Sequence, residues 1–371
     1  MKKIILAYVV STLGRTGPTR QLYNLVKYLD HDQFQVKLIT LSRNPSNNLE
    51  KEFSGLNVDL HPLSMNRPSS FLIGRRRLNA VLKIIKPDVI HSQGLRADWL
   101  CATFDRYTIR ITTQRNNPFD DYPALYGTLI GSAVARLHHR ALLQIPTVVT
   151  CSKTIAGTNI CKGLQSIVIR NGVELEGKTR PVTTEEKTAR RRTLNLPTNG
   201  RLFVYAGPLI VRKDPVLLIR SFLDYAERSD TLCLLGDGPL LPTCRQLTEN
   251  QHNIFLPGLV RNVADYFRAA DLFVSASHAE GMPNAVLEAL AASLPVILSD
   301  IPAHREVLDN CSEAGWLFPP GDPTALGKCL DQAVSDAPTR RAALQLVEEH
   351  FSAQSMSNAY QRLYKSVLNR T

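Results

Sequence analysis

Two carboxylates stand eight residues apart in Glu280-Gly-Met-Pro-Asn-Ala-Val-Leu-Glu288, around the point where a helix should begin. Gly281 and Pro283 break the chain, and Pro283 suits a first helical turn, where its missing N–H costs nothing. Glu288 is the only charge between Asn284 and Leu298, and a carboxylate in so apolar a helix is costly unless it is paired. Hydroxyls suit a group that can only accept. The free backbone N–H groups around Met282, Pro283 and Asn284 form an anion site. Hydroxyl reader, phosphate cradle and hydroxyl reader follow the order of groups in a nucleotide sugar. The same residues also describe a helix cap and one satisfied acid.

A second cationic feature lies upstream. Gly207-Pro-Leu-Ile-Val-Arg212-Lys213-Asp214-Pro215 follows a strand at 202–206 and precedes a helix at 216–226. Adjacent cations between a strand and a helix start make a phosphate site, though surface charge is the plainer alternative. Near the N-terminus, Gly14 and Gly17 separate the first strand from a helix and allow close backbone approach to a ligand. The pattern is not G-x-G-x-x-G, and no acid closes the second strand, which disfavours a nicotinamide dehydrogenase. His91 falls at a strand end. Arg115 and Asn116 follow the next strand, and Arg115 suits an anionic sugar, an acceptor phosphate or a leaving diphosphate.

These residues need strand ends to hold them. In the first half, 4–10, 35–41, 89–91, 109–113 and 147–150 read as strands, and 20–29, 76–85 and 97–103 as helices. Residues 120–143 read as one long helical stretch, and 153–162 as another helix. The second half restarts with strands at 202–206, 231–235, 272–275 and 296–299 and another opening at Ile254, with helices at 216–226, 285–292, 303–307, 325–347 and 353–368. Alternating strands and helices predict parallel sheets covered on both faces, with ligands at the carboxyl ends of the strands. The polar stretch 174–200 reads as a linker plus a helix, with a domain boundary near residue 175.

At 371 residues the chain has room for two cores, and 44% hydrophobic and 21% charged residues are ordinary for a globular protein. Seven cysteines are scattered at 101, 151, 161, 233, 244, 311 and 329, without a C-x-x-C pair. That suggests neither zinc nor a disulfide framework and fits a reducing, cytoplasmic setting. The apolar run Ile4–Val10 is short for a leader peptide and reads as a buried strand. No stretch approaches a membrane span. Net charge is +13 over residues 1–180 and −2 over 181–371, so the first half expects an anionic partner. Nucleic acid is excluded for want of any recognition motif. The basic helix from Gly74 to Lys86 suggests a foot on anionic lipid, or a plain solvated helix. Neither His138 nor His139 is spaced with an acid as a zinc helix requires, so no metal is expected.

The core Glu280-Gly-Met-Pro-Asn with Glu288 resembles the E-x7-E motif of the retaining family 4, or group 1, glycosyltransferases. Gly207-x-Leu-x-x-Arg212-Lys213 resembles their diphosphate-binding segment, and Gly315-Trp-Leu-Phe-Pro-Pro-Gly321-Asp322 a further family loop. The resemblance is most specific from about 202 to 325. It implies a GT-B fold, two Rossmann-like doubly wound parallel-sheet domains facing each other across a cleft. The first (1–175) would take the acceptor and the second (176–352) the nucleotide sugar, with a helix at 353–371 crossing back to the first. By the same resemblance Glu280 binds sugar hydroxyls, Glu288 the ribose, and Arg212 and Lys213 the diphosphate. Gly236 and the Gly258–Arg261 loop flank the nucleotide and base, and Gly14 and Gly17 face the donor and acceptor. Relatives often carry histidines after the strand of His91, and a His or His-Asn where this chain has Arg115 and Asn116. Pro208 likewise stands where many have arginine.

The implied activity is retaining hexosyl transfer from a nucleoside diphosphate sugar, UDP favoured, to a glycan acceptor such as a lipid-linked surface polysaccharide. No cofactor is implied. The setting would be cytoplasmic, peripheral at the inner face of the membrane. A GT-B nucleotide-sugar epimerase and a non-catalytic nucleotide- or glycan-binding module are the alternatives.

Overall fold

A computed structural model describes residues 2–66, 73–104, 108–160, 162–175, 180–227 and 229–369. Cys161 and residues 176–179 of the expected linker lie outside the described residues. The chain divides into two compact units, Met1–Gly172 with Ala353–Thr371, and Val173–Ser352.

The first unit is built on a seven-stranded sheet in the order β3-β2-β1-β4-β5-β6-β7. Its strands are β1 (Ile4–Val10), β2 (Phe34–Thr40), β3 (Asp59–Pro62), β4 (Val89–Gln93), β5 (Ile109–Gln114), β6 (Thr147–Thr150) and β7 (Ile167–Val168), all parallel. The second unit's sheet runs β10-β9-β8-β11-β12-β13. It comprises β8 (Leu202–Ala206), β9 (Thr231–Leu235), β10 (Ile254–Gly258), β11 (Leu272–Ser275), β12 (Val296–Ser299) and β13 (Gly315–Phe318), again all parallel. The strands β1 and β8, inside their sheets, are unbroken apolar runs because both of their faces are covered. Strand order reverses beside β1 in one sheet and beside β8 in the other, the position at whose carboxyl ends sheets of this kind hold their ligands.

Helix starts follow local chemistry. Pro18, Pro118, Pro215, Pro302 and Pro323 occupy first-turn positions, where proline is pre-shaped for a helix. Asn117, Asp214, Asp322 and Asp336 cap their helices through side-chain oxygens. The last helix, Ala353–Leu368, packs on Gly17–Lys27 within the first unit. There Ser357 Oγ donates to the Leu25 carbonyl at 2.8 Å, and the Tyr364 and Tyr8 hydroxyls meet at 2.8 Å.

Three expectations change. Residues 120–143 form two helices, Pro118–Tyr126 and Thr128–Leu142, because Gly127 takes φ +77° between them. Gly131 lets them touch, since a Cβ there would sit 2.3 Å from the Pro123 nitrogen. Residues 325–347 likewise split into Pro323–Gln332 and Ala337–His350, the second with a capping box at Asp336. The helix Gly74–Ile85 buries Leu78 and Leu82 in the core with Arg75, Arg76, Arg77 and Lys83 exposed, so its apolar face is not available to lipid. Exposed apolar residues gather instead at Leu125, Tyr126, Leu129 and Ile130, where the two helices of the 118–142 pair meet.

Candidate nucleotide-sugar site

The carboxyl ends of β8, β9 and β10 are knitted together through glycines. Gly207 N donates to the Leu235 carbonyl, Leu209 N to Asp237 and Gly236 N to Gly258, each at 2.9 Å. A Cβ on Gly236 would lie 1.9 Å from the Gly207 carbonyl oxygen, and one on Gly238 2.5 Å from that of Leu209. Only bare backbone fits there. Gly258 turns with φ +76° and leads to the exposed Arg261. Tyr205 donates to the Pro208 carbonyl at 2.9 Å, so the residue after Gly207 contributes a backbone acceptor rather than a cation.

The loop after β8 tightens into a single 3-10 turn, Val211–Lys213, which ends at Asp214 in a left-handed conformation, φ +45°. Asp214 caps the helix Pro215–Tyr225 by accepting from Leu217 N at 3.1 Å. The same turn is fastened to the loop after β11, since His278 N donates to the Arg212 carbonyl at 2.8 Å and His278 Nε2 meets Asp214 Oδ2 at 3.0 Å. This clamp sets Lys213 against Glu280.

Lys213 and Glu280 form an ion pair, with side chains 17% and 10% exposed. Ser277 Oγ donates to Glu280 Oε1 at 2.9 Å. Burial pushes the Glu280 carboxyl up, but the Lys213 ammonium, the field of His304 and the hydrogen bonds from Lys213 and Ser277 outweigh it and hold the group below its usual range. Glu280 is therefore an anion that only accepts, and Lys213 keeps donors to spare. Met282 and Pro283 are buried, Gly281 is half-buried, and the helix Asn284–Ala291 opens directly after them. Glu288 is half-buried within that helix, and Arg212 half-buried beside Lys213.

His304 is a residue that the sequence reading missed. It is fully buried in the helix Pro302–Leu308, and its Nδ1 lies 2.7 Å from the Ser299 carbonyl. Burial holds the imidazole down to about 4, against the opposing pull of Glu280 and the Ser299 carbonyl. Histidine in a short helix carries no spacing signal. Only the packing of β12 against the Glu280 loop reveals it.

In the first unit, Gly14 is buried against its own chain. It bridges Asn48, and a Cβ would meet Pro45 Cγ at 3.1 Å. The close approach that Gly14 permits in this structure is to the 45–48 loop. Gly17 opens the helix Gly17–Lys27 and is half-buried. His91 needs correction as an acceptor contact. It is fully buried, with Nδ1 2.8 Å from the Tyr364 hydroxyl and Nε2 2.8 Å from Thr113 Oγ1. Burial and the nearby Arg115 hold it down to about 3. Its side chain faces the helix of Tyr360 and Tyr364, a packing choice that the strand pattern alone leaves open. Arg115 is half-buried at the carboxyl end of β5, bound to Gln93 and Asn171. Asn116 is tied to Asp121. A buried network behind them joins Asp98 to Ser92 and Thr112, each at 2.6 Å, and to His138 at 2.8 Å, with His138 reaching Tyr122 at 2.9 Å.

Among the described residues no group of three or more His, Cys, Asp or Glu is placed to hold a metal ion. Among the described residues no helix is long and apolar enough to cross a membrane.

Known proteins share this architecture. The family model of the glycosyl transferases group 1 matches residues 200–336, and that of glycosyltransferase family 4 matches residues 15–176. A putative teichuronic acid biosynthesis glycosyltransferase, TuaC of Bacillus subtilis, is 32% identical over 238 residues, 61% of this chain and 58% of that protein. Among solved structures, sucrose-phosphate synthase from Thermosynechococcus elongatus superposes with TM-score 0.83 at 19% identity, covering both chains completely. HepE of Anabaena, in complex with UDP and glucose, gives 0.79 at 17% identity over 98% of this chain and all of that one. These structures share the fold, two Rossmann-like domains of the GT-B class. The two models divide the sequence between them: the chain carries a glycosyltransferase family 4 domain over residues 15–176 and a group 1 glycosyl transferase domain over residues 200–336.

Proposed function

We propose that the chain transfers a hexosyl group from a nucleoside diphosphate, UDP by preference, to a glycan acceptor carried on lipid, with retention at the anomeric carbon. The observation that carries this reading is the Lys213–Glu280–Ser277 cluster at the carboxyl ends of β8 and β11, beside the start of the helix Asn284–Ala291. It couples a cation for the diphosphate to a carboxylate for sugar hydroxyls at a position where strand order reverses. The HepE complex with UDP and glucose supports the donor class. The relative TuaC, whose name gives it as a putative teichuronic acid biosynthesis glycosyltransferase, supports a glycan as the product.

In the proposed reaction the bond from the anomeric carbon to the diphosphate oxygen breaks as the acceptor hydroxyl attacks the same face of the sugar. The acceptor's proton passes to the leaving phosphate oxygen. Negative charge that grows on the diphosphate is met by Lys213, Arg212 and the N–H groups at the start of the 284–291 helix. Each such preorganised donor is worth roughly 2.7–4 kcal/mol. Glu280 orients the sugar, and Glu288 reads the ribose. The exposed arginines at 75–77 and the apolar residues around Leu129 would rest on an anionic membrane surface that presents the acceptor.

Thermal unfolding against UDP, GDP, CMP and ADP tests the donor assignment. A ligand at a hundred times its dissociation constant stabilises the fold by about 2.7 kcal/mol. UDP is expected to raise the midpoint, and Lys213→Ala to remove most of that rise. No shift with any of the four nucleotides would refute the reading.

A further inference from the structure

The carboxyl edge of the first sheet holds a cation without a counter-charge. Arg115 Nε donates to Gln93 Oε1 at 3.3 Å, and Nη1 to Asn171 Oδ1 at 2.6 Å. Both partners are neutral amides, and among the described residues Arg115 makes no ion pair. Two donors are left over. Arg115 Nη2 is buried and makes no hydrogen bond, and the same is true of Nε2 of Gln93, a side chain in a residue only 8% exposed. Gln93 ends β4 and Arg115 directly follows Gln114, the last residue of β5, and these adjacent strands pair in register up to Ser92 and Thr112.

The groups beneath give no compensation. Tyr8, His91, Tyr360 and Tyr364 are all buried. Burial and Arg115 hold the imidazole of His91 down to about 3, so it is neutral. Burial pushes the tyrosine hydroxyls up, so they are neutral too. A half-buried guanidinium against a neutral wall is costly, and buried unsatisfied donors call for an explanation. The missing partner is an acceptor with negative charge. Arg115 Nη2 and the Gln93 amide together suit a group with two oxygens, a carboxylate or a phosphate.

We propose that Gln93 and Arg115 form an oxyanion subsite that takes a carboxylate or phosphate group carried on a sugar substrate. The word substrate rests on the glycosyl-transfer reading above. The subsite itself stands on the first unit's geometry alone. With the donor diphosphate assigned to Arg212 and Lys213, the anion at Arg115 belongs to the transferred sugar or to the acceptor.

Isothermal titration of the full chain, without nucleotide, tests this with D-glucuronate, glucose 6-phosphate, inorganic phosphate and D-glucose as probes. At least one anionic sugar is expected to bind ten times more tightly than glucose. Arg115→Gln should abolish the preference. Arg115→Lys, which keeps the charge but not the fork, should retain part of it, and Gln93→Met should weaken it. The stronger of glucuronate and glucose 6-phosphate identifies the anion. Equal binding of glucose and the anionic sugars by the wild type, or an unchanged preference in folded Arg115→Gln, would overturn the subsite. Inorganic phosphate binding as well as glucose 6-phosphate would overturn its assignment to a sugar. Because the titration uses no nucleotide, a failure of UDP to bind would count against the donor site and leave this result readable.

Discussion

At the scale of single residues, the molecule uses buried charge in two ways. Glu280 is kept ionised by Lys213, whereas His304 and His91 are kept neutral by burial. The histidines make stability depend on pH. An unfolded chain takes up a proton on each imidazole near pH 6.5. The folded chain does so only near 4 for His304 and 3 for His91. Between those values the unfolded state binds more protons, so stability falls as pH falls. The loss by pH 4.5 is on the order of 2 kcal/mol for each histidine. Urea titrations at pH 7 and 4.5 check it. His91→Gln and His304→Gln should each lower stability at pH 7 and yet flatten the slope, and an unchanged slope would contradict the account. These histidines also show where sequence stops informing. Glu280, Glu288 and Lys213 stand out because charges and chain breakers interrupt apolar runs. Which face His91 presents, and that His304 lies under Glu280, depend on tertiary packing that one strand or one helix does not encode.

At the scale of elements, the loops at the carboxyl ends of β8, β9 and β10 are interlocked through their glycines. Gly236→Ala would drive a Cβ into the Gly207 carbonyl oxygen at 1.9 Å and should cost roughly 1–3 kcal/mol of stability. Gly157, exposed in the helix Lys153–Ile160 with nothing within 4 Å of a Cβ, provides the contrast. Gly157→Ala should stabilise by about 0.4–1 kcal/mol. Denaturant midpoints of the two variants should move in opposite directions, and similar shifts would contradict the packing argument. Several inner strands were legible as buried apolar runs and agree with the structure to the residue, as at Ile4–Val10 and Leu202–Ala206. The strands that escaped notice are edges. Asp59–Pro62 and Ile167–Val168 are short and largely exposed, and Gly315–Phe318 begins at a glycine that meets Val296 closely. Their pairing comes from the neighbouring strand more than from their own residues. The break at Gly127 was hidden because helical periodicity runs through it.

At the scale of the whole molecule, the sequence divides into a basic first half and a nearly neutral second half, and each of the two units has its own parallel sheet. The proposed reaction takes the donor on the second unit and the acceptor on the first, and under that proposal turnover responds to both substrates. The most direct test is the release of UDP from UDP-hexoses by the full chain, with and without a membrane lipid extract, followed by analysis of the anomeric configuration of the glycolipid formed. Retaining glycosyl transfer predicts release that the extract stimulates, a retained anomer in the product, and a loss of turnover on the order of 10²–10³-fold in Lys213→Ala. Release that ignores the extract and yields only free sugar would contradict glycosyl transfer and favour a nucleotide-sugar epimerase.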